Sequence, residues 1–330
     1  MIQALGSLYS AAALWRRRWF TRNPSRRLTL TRPVVSVGNL RVGGTGKTPV
    51  VAHIARMLLG AGERPAILTR GYGRRRPTDG VTVVSDGTSV RAGIAESGDE
   101  PLMLARAVPG AIVLVGADRY LSGRLAEKQF AATVHLLDDG FQYFELTRDV
   151  DLLLASEDDL SDRPLPAGRL REPLSAASTA DAALVTAGYM TAAERVARTL
   201  RVETAFRVAR VLGAPRTLSG ESVVVPPASR VFLAAGIARP ERFFADVASA
   251  GWQVVGAMPF RDHHHFSTRD LSRIANAARA SASAIVLTTE KDATRLAADE
   301  VGDLPIAWVP LILSIEPAEA FREWLLLRIR

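Results

Sequence analysis

Short apolar runs alternate with stretches of helical apolar spacing along most of this 330-residue chain. The runs Val34–Val37, Ala66–Thr69, Ile112–Val115, Val134–Leu137, Leu152–Ala155 and Ala183–Thr186 hold few polar positions, as strands covered on both faces do. Helical patterns such as Glu100–Val108 and Arg119–Phe130 lie between them. Such alternation predicts an α/β fold, a doubly wound parallel sheet in a first domain over residues 1–202. Residues 203–226 alternate in polarity and hold Gly213, Pro215 and Gly220, which predicts an extended or hairpin linker. A second, smaller α/β domain is expected over 227–330. Its strands are read at Val231–Ala235, Gln253–Met258, Ala284–Thr288 and Ile306–Pro310, with helices at Pro240–Ala250 and Thr268–Ala280.

The first residues follow a different pattern. Leu5, Leu8, Tyr9, Ala12, Trp15 and Trp19 recur at helical spacing, followed by Arg16-Arg17-Arg18, Arg22, Arg26 and Arg27. A secretory signal places its charge before a continuous apolar core, and here the order is reversed and the core interrupted. A spanning helix needs about 20 mainly apolar residues, which no stretch supplies. Leu and Trp on one face with arginines at headgroup level suit an interfacial membrane helix over about residues 1–22. The alternative is a helix packed on its own core with its arginines solvated.

Composition narrows the picture. Hydrophobic residues make up 48% and charged residues 23%, an ordinary folded composition, and the absence of cysteine excludes disulfides and thiolate metal sites. The net charge of +8 comes from the N-terminal part: ten Lys or Arg and no acid precede Glu63. Lysine occurs only at 47, 128 and 291, so Lys47 and Lys291 stand out in a chain that otherwise uses arginine.

Candidate chemistry lies at the ends of the apolar runs. Gly43-Gly44-Thr45-Gly46-Lys47-Thr48 follows Val34–Val37 and precedes a helical pattern through Val50, Val51, Ile54, Ala55, Leu58 and Leu59. Strand, glycine-rich loop and helix form the context of a phosphate-binding loop. Backbone N–H groups and a helix N-terminus would cradle a polyphosphate, Lys47 would reach the β- and γ-phosphates, and Thr48 would ligate Mg²⁺. Arg41 stands where the usual pattern has its first glycine. Val134–Leu137 runs into Asp138-Asp139-Gly140, the form of a Walker B segment whose carboxylates hold Mg²⁺. Asp99 opens a helix before Pro101, either as a cap or as part of an acid–base pair. Asp262-His263-His264-His265 cannot turn three consecutive rings onto one metal, but an imidazole there suits a general base. Arg70-Gly71-Tyr72-Gly73-Arg74, Arg171-Glu172 and Thr289-Glu290-Lys291-Asp292 are charge-rich, and arginines flanking glycines suit an anionic ligand.

Taken in order, SVGN-x₃-GGTGKTP, TRGYG, GDEP, VGADR, LLDDGFQ, LPAG-x-LREP, GIARP, DHHHF and TEKDA resemble the tetraacyldisaccharide 4′-kinase family, the lipid A 4′-kinases of Gram-negative-type bacteria. The resemblance spans about residues 36–294, and that family's loop also lacks the first glycine. Tyr143 stands where the family commonly has His, and Arg169 where it has Pro. The resemblance implies a P-loop kinase that uses ATP and Mg²⁺ to phosphorylate the 4′-hydroxyl of tetraacyldisaccharide 1-phosphate, yielding lipid IVA. It implies Asp99 and His263, or alternatively His264, as a catalytic dyad. Thr48, Asp138, Asp139 and Glu172 would bind Mg²⁺ or support it, and Arg70, Tyr72, Arg74, Arg119 and Arg171 would face phosphate or substrate. It also implies the cytoplasmic face of the inner membrane, a lipid disaccharide as partner and no nucleic acid. With Asp99 in the first domain and the histidines in the second, a hinge closure is expected. Rival readings are a membrane-associated regulatory ATPase, whose signature lysine is Val42 here, and an amide-forming P-loop synthetase, which has no use for a membrane helix.

Overall fold

A computed structural model describes residues 2–43, 46–72, 74–76, 79–296, 301–302 and 304–330. Its strands are β1 Val34–Gly38, β2 Pro65–Thr69, β3 Thr82–Asp86, β4 Ile112–Val115, β5 Val134–Asp138, β6 Val150–Ser156, β7 Ala182–Thr186, β8 Ala205–Leu212, β9 Arg230–Ala235, β10 Gln253–Pro259, β11 Ile285–Thr289, β12 Ile306–Val309 and β13 Leu311–Glu316. Nine of them form one sheet in the order β13-β8-β7-β6-β1-β5-β2-β4-β3, and β10-β9-β11-β12 form a second.

In the large sheet β8, β7, β6, β1, β5, β2 and β4 run parallel, and β3 closes the edge antiparallel to β4. Every residue of β1, β2, β4 and β5 is buried, which is why these strands read as unbroken apolar runs. Leu153, Ala155, Ala183 and Val185 pack one face against Ala193, Val196 and Ala197 of the helix Met190–Thr199. Ala66, Leu68, Ile112 and Leu114 pack the other, where Ala126 of the helix Arg119–Phe130 joins them. The β1–β5 register sets Val37 opposite Asp138, so the strand that feeds the glycine-rich loop lies beside the one that ends in two carboxylates.

The second sheet is parallel throughout. Successive side chains of β9 serve opposite faces. Val231, Leu233 and Ala235 meet Phe243 and Val247 of the helix Pro240–Ser249, while Phe232 and Ala234 meet Leu271, Ile274 and Ala278 of the helix Thr268–Ala280.

The chain divides into two compact units, 1–209 with 313–330, and 210–312. Two sequence readings need correction. The stretch read as a linker over 203–226 begins with β8, paired parallel to β7 from Ala183–Ala205 to Thr186–Val208. Its polarity alternates because its burial alternates, as in a strand near a sheet edge. The last eighteen residues, read as part of the second domain, belong to the first unit, because Phe321 of the helix Ala318–Ile329 buries its ring against Phe206 of β8 at 5.0 Å.

Candidate functional site

The P-loop and the Asp138-Asp139 turn interlock through two glycines. A Cβ on Gly38 would lie 2.5 Å from Phe141, and one on Gly140 would lie 2.5 Å from the Ser36 hydroxyl. Without side chains there, Gly140 N–H donates to the Val37 carbonyl (3.1 Å) and Gln142 Nε2 donates to the Asn39 carbonyl (3.0 Å). The helix Lys47–Gly60 starts after Gly46, whose φ of +86° is a left-handed conformation that glycine adopts freely. Gly44 and Thr45, both expected to touch phosphate, lie outside the described residues.

Lys47 Nζ sits 3.1 Å from Asn39 Oδ1 and 3.3 Å from Asp139 Oδ1. Arg171 Nη1 donates to both oxygens of Asp139, at 2.9 and 2.8 Å, and to Gln142 Oε1 at 3.1 Å. Burial opposes ionisation of Asp139, but Lys47 and Arg171 outweigh it and hold the carboxyl below its usual range. Asp139 itself has φ of +58°, strain that its neighbours on both sides over-determine. Asp138 goes the other way: burial, and then the charges of Glu100 and Asp139, push its carboxyl up to about 7. A buried carboxyl crowded by two others is a place where a divalent cation would relieve the charge. Among the described residues no three His, Cys, Asp or Glu groups form a ready metal cage. A hydroxyl and a carboxylate fit Mg²⁺, which draws most of its six oxygens from phosphates and water. Thr48, buried in the first helical turn, and Asp138 are the protein oxygens suited to it.

Glu172, read as a metal residue, is only 2% exposed and spends its oxygens elsewhere. Arg17 holds both, at 2.7 and 2.8 Å, and Gln142 Nε2 donates to Oε1 at 3.0 Å. In this conformation both Glu172 oxygens are engaged by Arg17 and Gln142. Arg41 is buried against Asp159 (3.2 Å) and Asp162 (3.1 Å), while the backbone on either side of it pairs with 169–171. The residue in the place of the missing glycine therefore ties the loop's first strand to the segment carrying Arg171 and Glu172.

Asp99 is the first residue of the helix Asp99–Ala107, buried, with an oxygen accepting from Glu100 N–H at 3.0 Å; Gly98, with φ of +85°, takes the cap position. Arg119 is also buried, with its guanidinium 4.5 Å above the Tyr143 ring and its backbone N–H on the Tyr143 hydroxyl at 3.2 Å. Arg70 is exposed beyond the end of β2, Tyr72 is 77% exposed, and Arg74 packs by Gly71. Asn39, Gln142, Glu100 and Arg17 were not singled out from sequence. The first three lie inside or beside quoted motifs, whereas Arg17 carried no signal that set it apart from Arg16 and Arg18.

In the second unit, the residues after β9, β10 and β11 gather at the carboxyl ends of the sheet, where ligands of such folds bind. Asp292, fully buried, accepts from Gly236 N–H (3.0 Å) and Thr289 Oγ1 (2.7 Å) and pairs with Arg295 (3.1 Å). Lys291 Nζ lies 3.4 Å from both Asp262 Oδ1 and His263 Nε2. His263 takes φ of +59°. His264 is committed differently: its ring stacks on Phe260 at 4.7 Å, meets Phe266 edge-on at 5.2 Å, and places Nε2 3.1 Å from Asp270.

The N-terminal helix Ile2–Arg22 packs through a mixed face of Gly6, Leu14, Arg17 and Phe20. Gly6 lies against Ala167, Leu14 joins the core of the first unit and Arg17 is buried. Leu5, Leu8 (68% exposed), Tyr9, Trp15 (66%) and Trp19 form an outward apolar stripe. Among the described residues no helix is long and apolar enough to cross a membrane.

Comparison with known proteins gives a consistent result. The family model described as tetraacyldisaccharide-1-P 4′-kinase (LpxK) matches residues 1–330. The tetraacyldisaccharide 4′-kinase of Syntrophus aciditrophicus is 34% identical, with 99% of this chain and 92% of that protein covered. The protein of the same name from Geobacter sulfurreducens is 39% identical over 94% of this chain and 88% of its own length. A crystal structure of LpxK from Aquifex aeolicus in complex with ATP superimposes with a TM-score of 0.78 at 28% identity, covering 99% of this chain and 98% of that one.

Proposed function

Since the chain belongs to the tetraacyldisaccharide 4′-kinase family, we propose that it transfers the γ-phosphoryl group of ATP to the 4′-hydroxyl of tetraacyldisaccharide 1-phosphate, a step of lipid A biosynthesis that yields lipid IVA. The observation that carries this reading is the convergence of Lys47, Thr48, Asp138 and Asp139 where β1 and β5 end side by side.

In this reading Lys47 and the loop's N–H groups hold the β- and γ-phosphates, and Arg171 keeps Asp139 in place against Lys47. Thr48 and Asp138 would hold Mg²⁺, with Asp139 and Glu172 in support, and bound there it would supply charge neutralisation for the phosphate oxygens. His263 takes the proton of the 4′-hydroxyl, whose oxygen forms the new bond to the γ-phosphorus as the bond to the β-phosphate oxygen breaks and ADP leaves. Asp99 orients the imidazole and stabilises the imidazolium. His263 is preferred over His264 because the His264 ring is held between Phe260 and Phe266 with Nε2 on Asp270. Closure of the two units about the substrate would complete the dyad. Arg70, Tyr72, Arg74 and Arg119 are assigned to the anionic ligands.

The outward stripe of Leu5, Leu8, Tyr9, Trp15 and Trp19, with Arg16, Arg18 and Arg22 beside it, supports a helix lying in the membrane interface. Dependence on ATP supports a reaction at the cytoplasmic face of the inner membrane, with the acyl chains left in the bilayer.

Transfer of labelled γ-phosphate to the tetraacyl disaccharide 1-phosphate in detergent micelles is the direct test. Wild type should label the lipid, and Asp99→Ala and His263→Ala should each lose roughly 10²–10⁴-fold in transfer. ATP hydrolysis indifferent to the disaccharide, with no labelled lipid, would overturn the proposal.

A further inference from the structure

Arg17 is the middle of three consecutive arginines, yet only it turns inward. The residue is 5% exposed, whereas Arg16 and Arg18 are exposed. Every face of its guanidinium is used. Nε and Nη2 grip the two oxygens of Glu172 at 2.7 and 2.8 Å, Nη1 donates to Thr179 Oγ1 at 2.7 Å, and Nη2 also reaches the Phe141 carbonyl at 3.3 Å. The plane lies over the rings of Phe141 (4.2 Å) and Phe144 (4.8 Å).

We infer that Arg17 is a positioning residue of the nucleotide site, through which the N-terminal helix fixes Glu172 and, by way of Gln142 and Arg171, sets Asp139 and Lys47. The contacts are continuous. Glu172 accepts from Gln142 (3.0 Å), Gln142 accepts from Arg171 (3.1 Å), Arg171 holds Asp139 (2.8 Å), Asp139 meets Lys47 (3.3 Å), and Lys47 meets Asn39 (3.1 Å). Gln142 also donates to the Asn39 carbonyl, so the chain of contacts closes into a ring around the base of the P-loop.

Anchoring the helix does not by itself call for this arrangement. Leu14 and Phe20 already pack it, the latter 5.8 Å from Phe144, and an apolar side chain would seal the same position without burying a charge. What an apolar side chain cannot do is hold a carboxylate in one orientation by a two-pronged grip, and lysine cannot do so either. Glu172 directly follows Arg171, whose N–H donates to the Leu40 carbonyl at 2.6 Å, so a rotation of Glu172 is passed to the loop. The helix that meets the membrane thereby supplies part of the support for the phosphate site.

The inference rests on the nucleotide site proposed above, and its test reads nucleotide binding without any lipid. In the full chain, Arg17→Met should weaken binding of a fluorescent ATP analogue with Mg²⁺ by about 10- to 100-fold, the usual scale for losing an outer partner of a metal site. Arg17→Lys should fall between wild type and Arg17→Met. Gln142→Leu, which cuts the relay without touching the helix, should show the same nucleotide defect while binding to anionic vesicles is unchanged. In the nucleotide-free chain, Arg17→Met should raise amide hydrogen exchange at residues 39–42 and 169–172. In steady state, KM for ATP should rise and KM for the disaccharide should stay within about twofold, because the relay leads to phosphate and not to lipid. Folded Arg17→Met protein with wild-type analogue affinity would overturn the inference. If Arg17→Met does not fold, wild-type affinity in Gln142→Leu overturns it instead. Wild-type protein that binds the analogue but labels no lipid would refute the acceptor and leave the role of Arg17 standing.

Discussion

Adjacent residues in this protein hold unlike positions, and their variants should behave accordingly. The His264 ring is packed between Phe260 and Phe266, whereas the His263 Nε2 lies near Asp262 and Lys291. His264→Ala is therefore expected to lower the thermal midpoint, and His263→Ala to lower kcat with the midpoint nearly unchanged. Both are read by thermal melting and transfer assay on the same preparations. His135, fully buried in β5, offers a pH signature. Its Nε2 lies 3.2 Å from Glu127 and its Nδ1 has no hydrogen-bond partner among the described residues, so the neutral ring with the proton on Nε2 fits the site. Burial lowers its pKa from 6.5, against the raising effect of Glu127. Below pH 6.5 the unfolded chain then binds the proton more readily than the folded one, so stability falls as pH drops from about 6.5 toward the folded pKa. His53, lowered by burial and by Arg56, adds to the same fall. Replacing His135 by Gln should flatten the slope of unfolding free energy between pH 7 and 5.5, measured by urea titration.

At the scale of elements, strands buried on both faces were readable because each is a contiguous apolar run, and β1, β2, β4, β5, β6 and β7 were all found that way. Three others were not. β3 and β13 are the edge strands, and β8 lies beside β13, where a half-exposed strand leaves an alternation that also fits a connection. An interior strand shows the cost of this burial: Leu136→Ala in β5 should cost about 2–5 kcal/mol by chemical denaturation, since the side chain is fully buried. The N-terminal helix keeps an apolar stripe outward while the Arg17 guanidinium packs inward with Leu14 and Phe20. Replacing Leu8 and Trp15 together by Ser should weaken binding to anionic vesicles by tenfold or more, since each loses about 1.5–3 kcal/mol of burial in lipid, while the thermal midpoint in detergent-free buffer stays put. A large drop in that midpoint would show the stripe to be core instead.

At the scale of the whole molecule, the return of residues 313–330 to the first unit makes that unit discontinuous in sequence. A fragment ending at residue 312 is expected to lose protection from hydrogen exchange in β8 and β7, because Phe206 forfeits the ring of Phe321, while β9 and β11 keep theirs. Equal protection in β7 and β8 with and without the tail would argue against this division.

The sequence alone determined the α/β architecture, most strands and the ordered motifs that mark the nucleotide and histidine clusters. Those signals are local: an apolar run, a glycine-rich loop or an Asp-Asp turn lies within a few consecutive residues. Tertiary structure alone decided which of three adjacent arginines is buried, that Glu172 is held by a residue 155 positions away, and that the C-terminal helix belongs to the first unit. Each of these depends on the rotation of one docked element about its own axis or on a partner remote in sequence, and neither leaves a periodicity or a spacing in the chain.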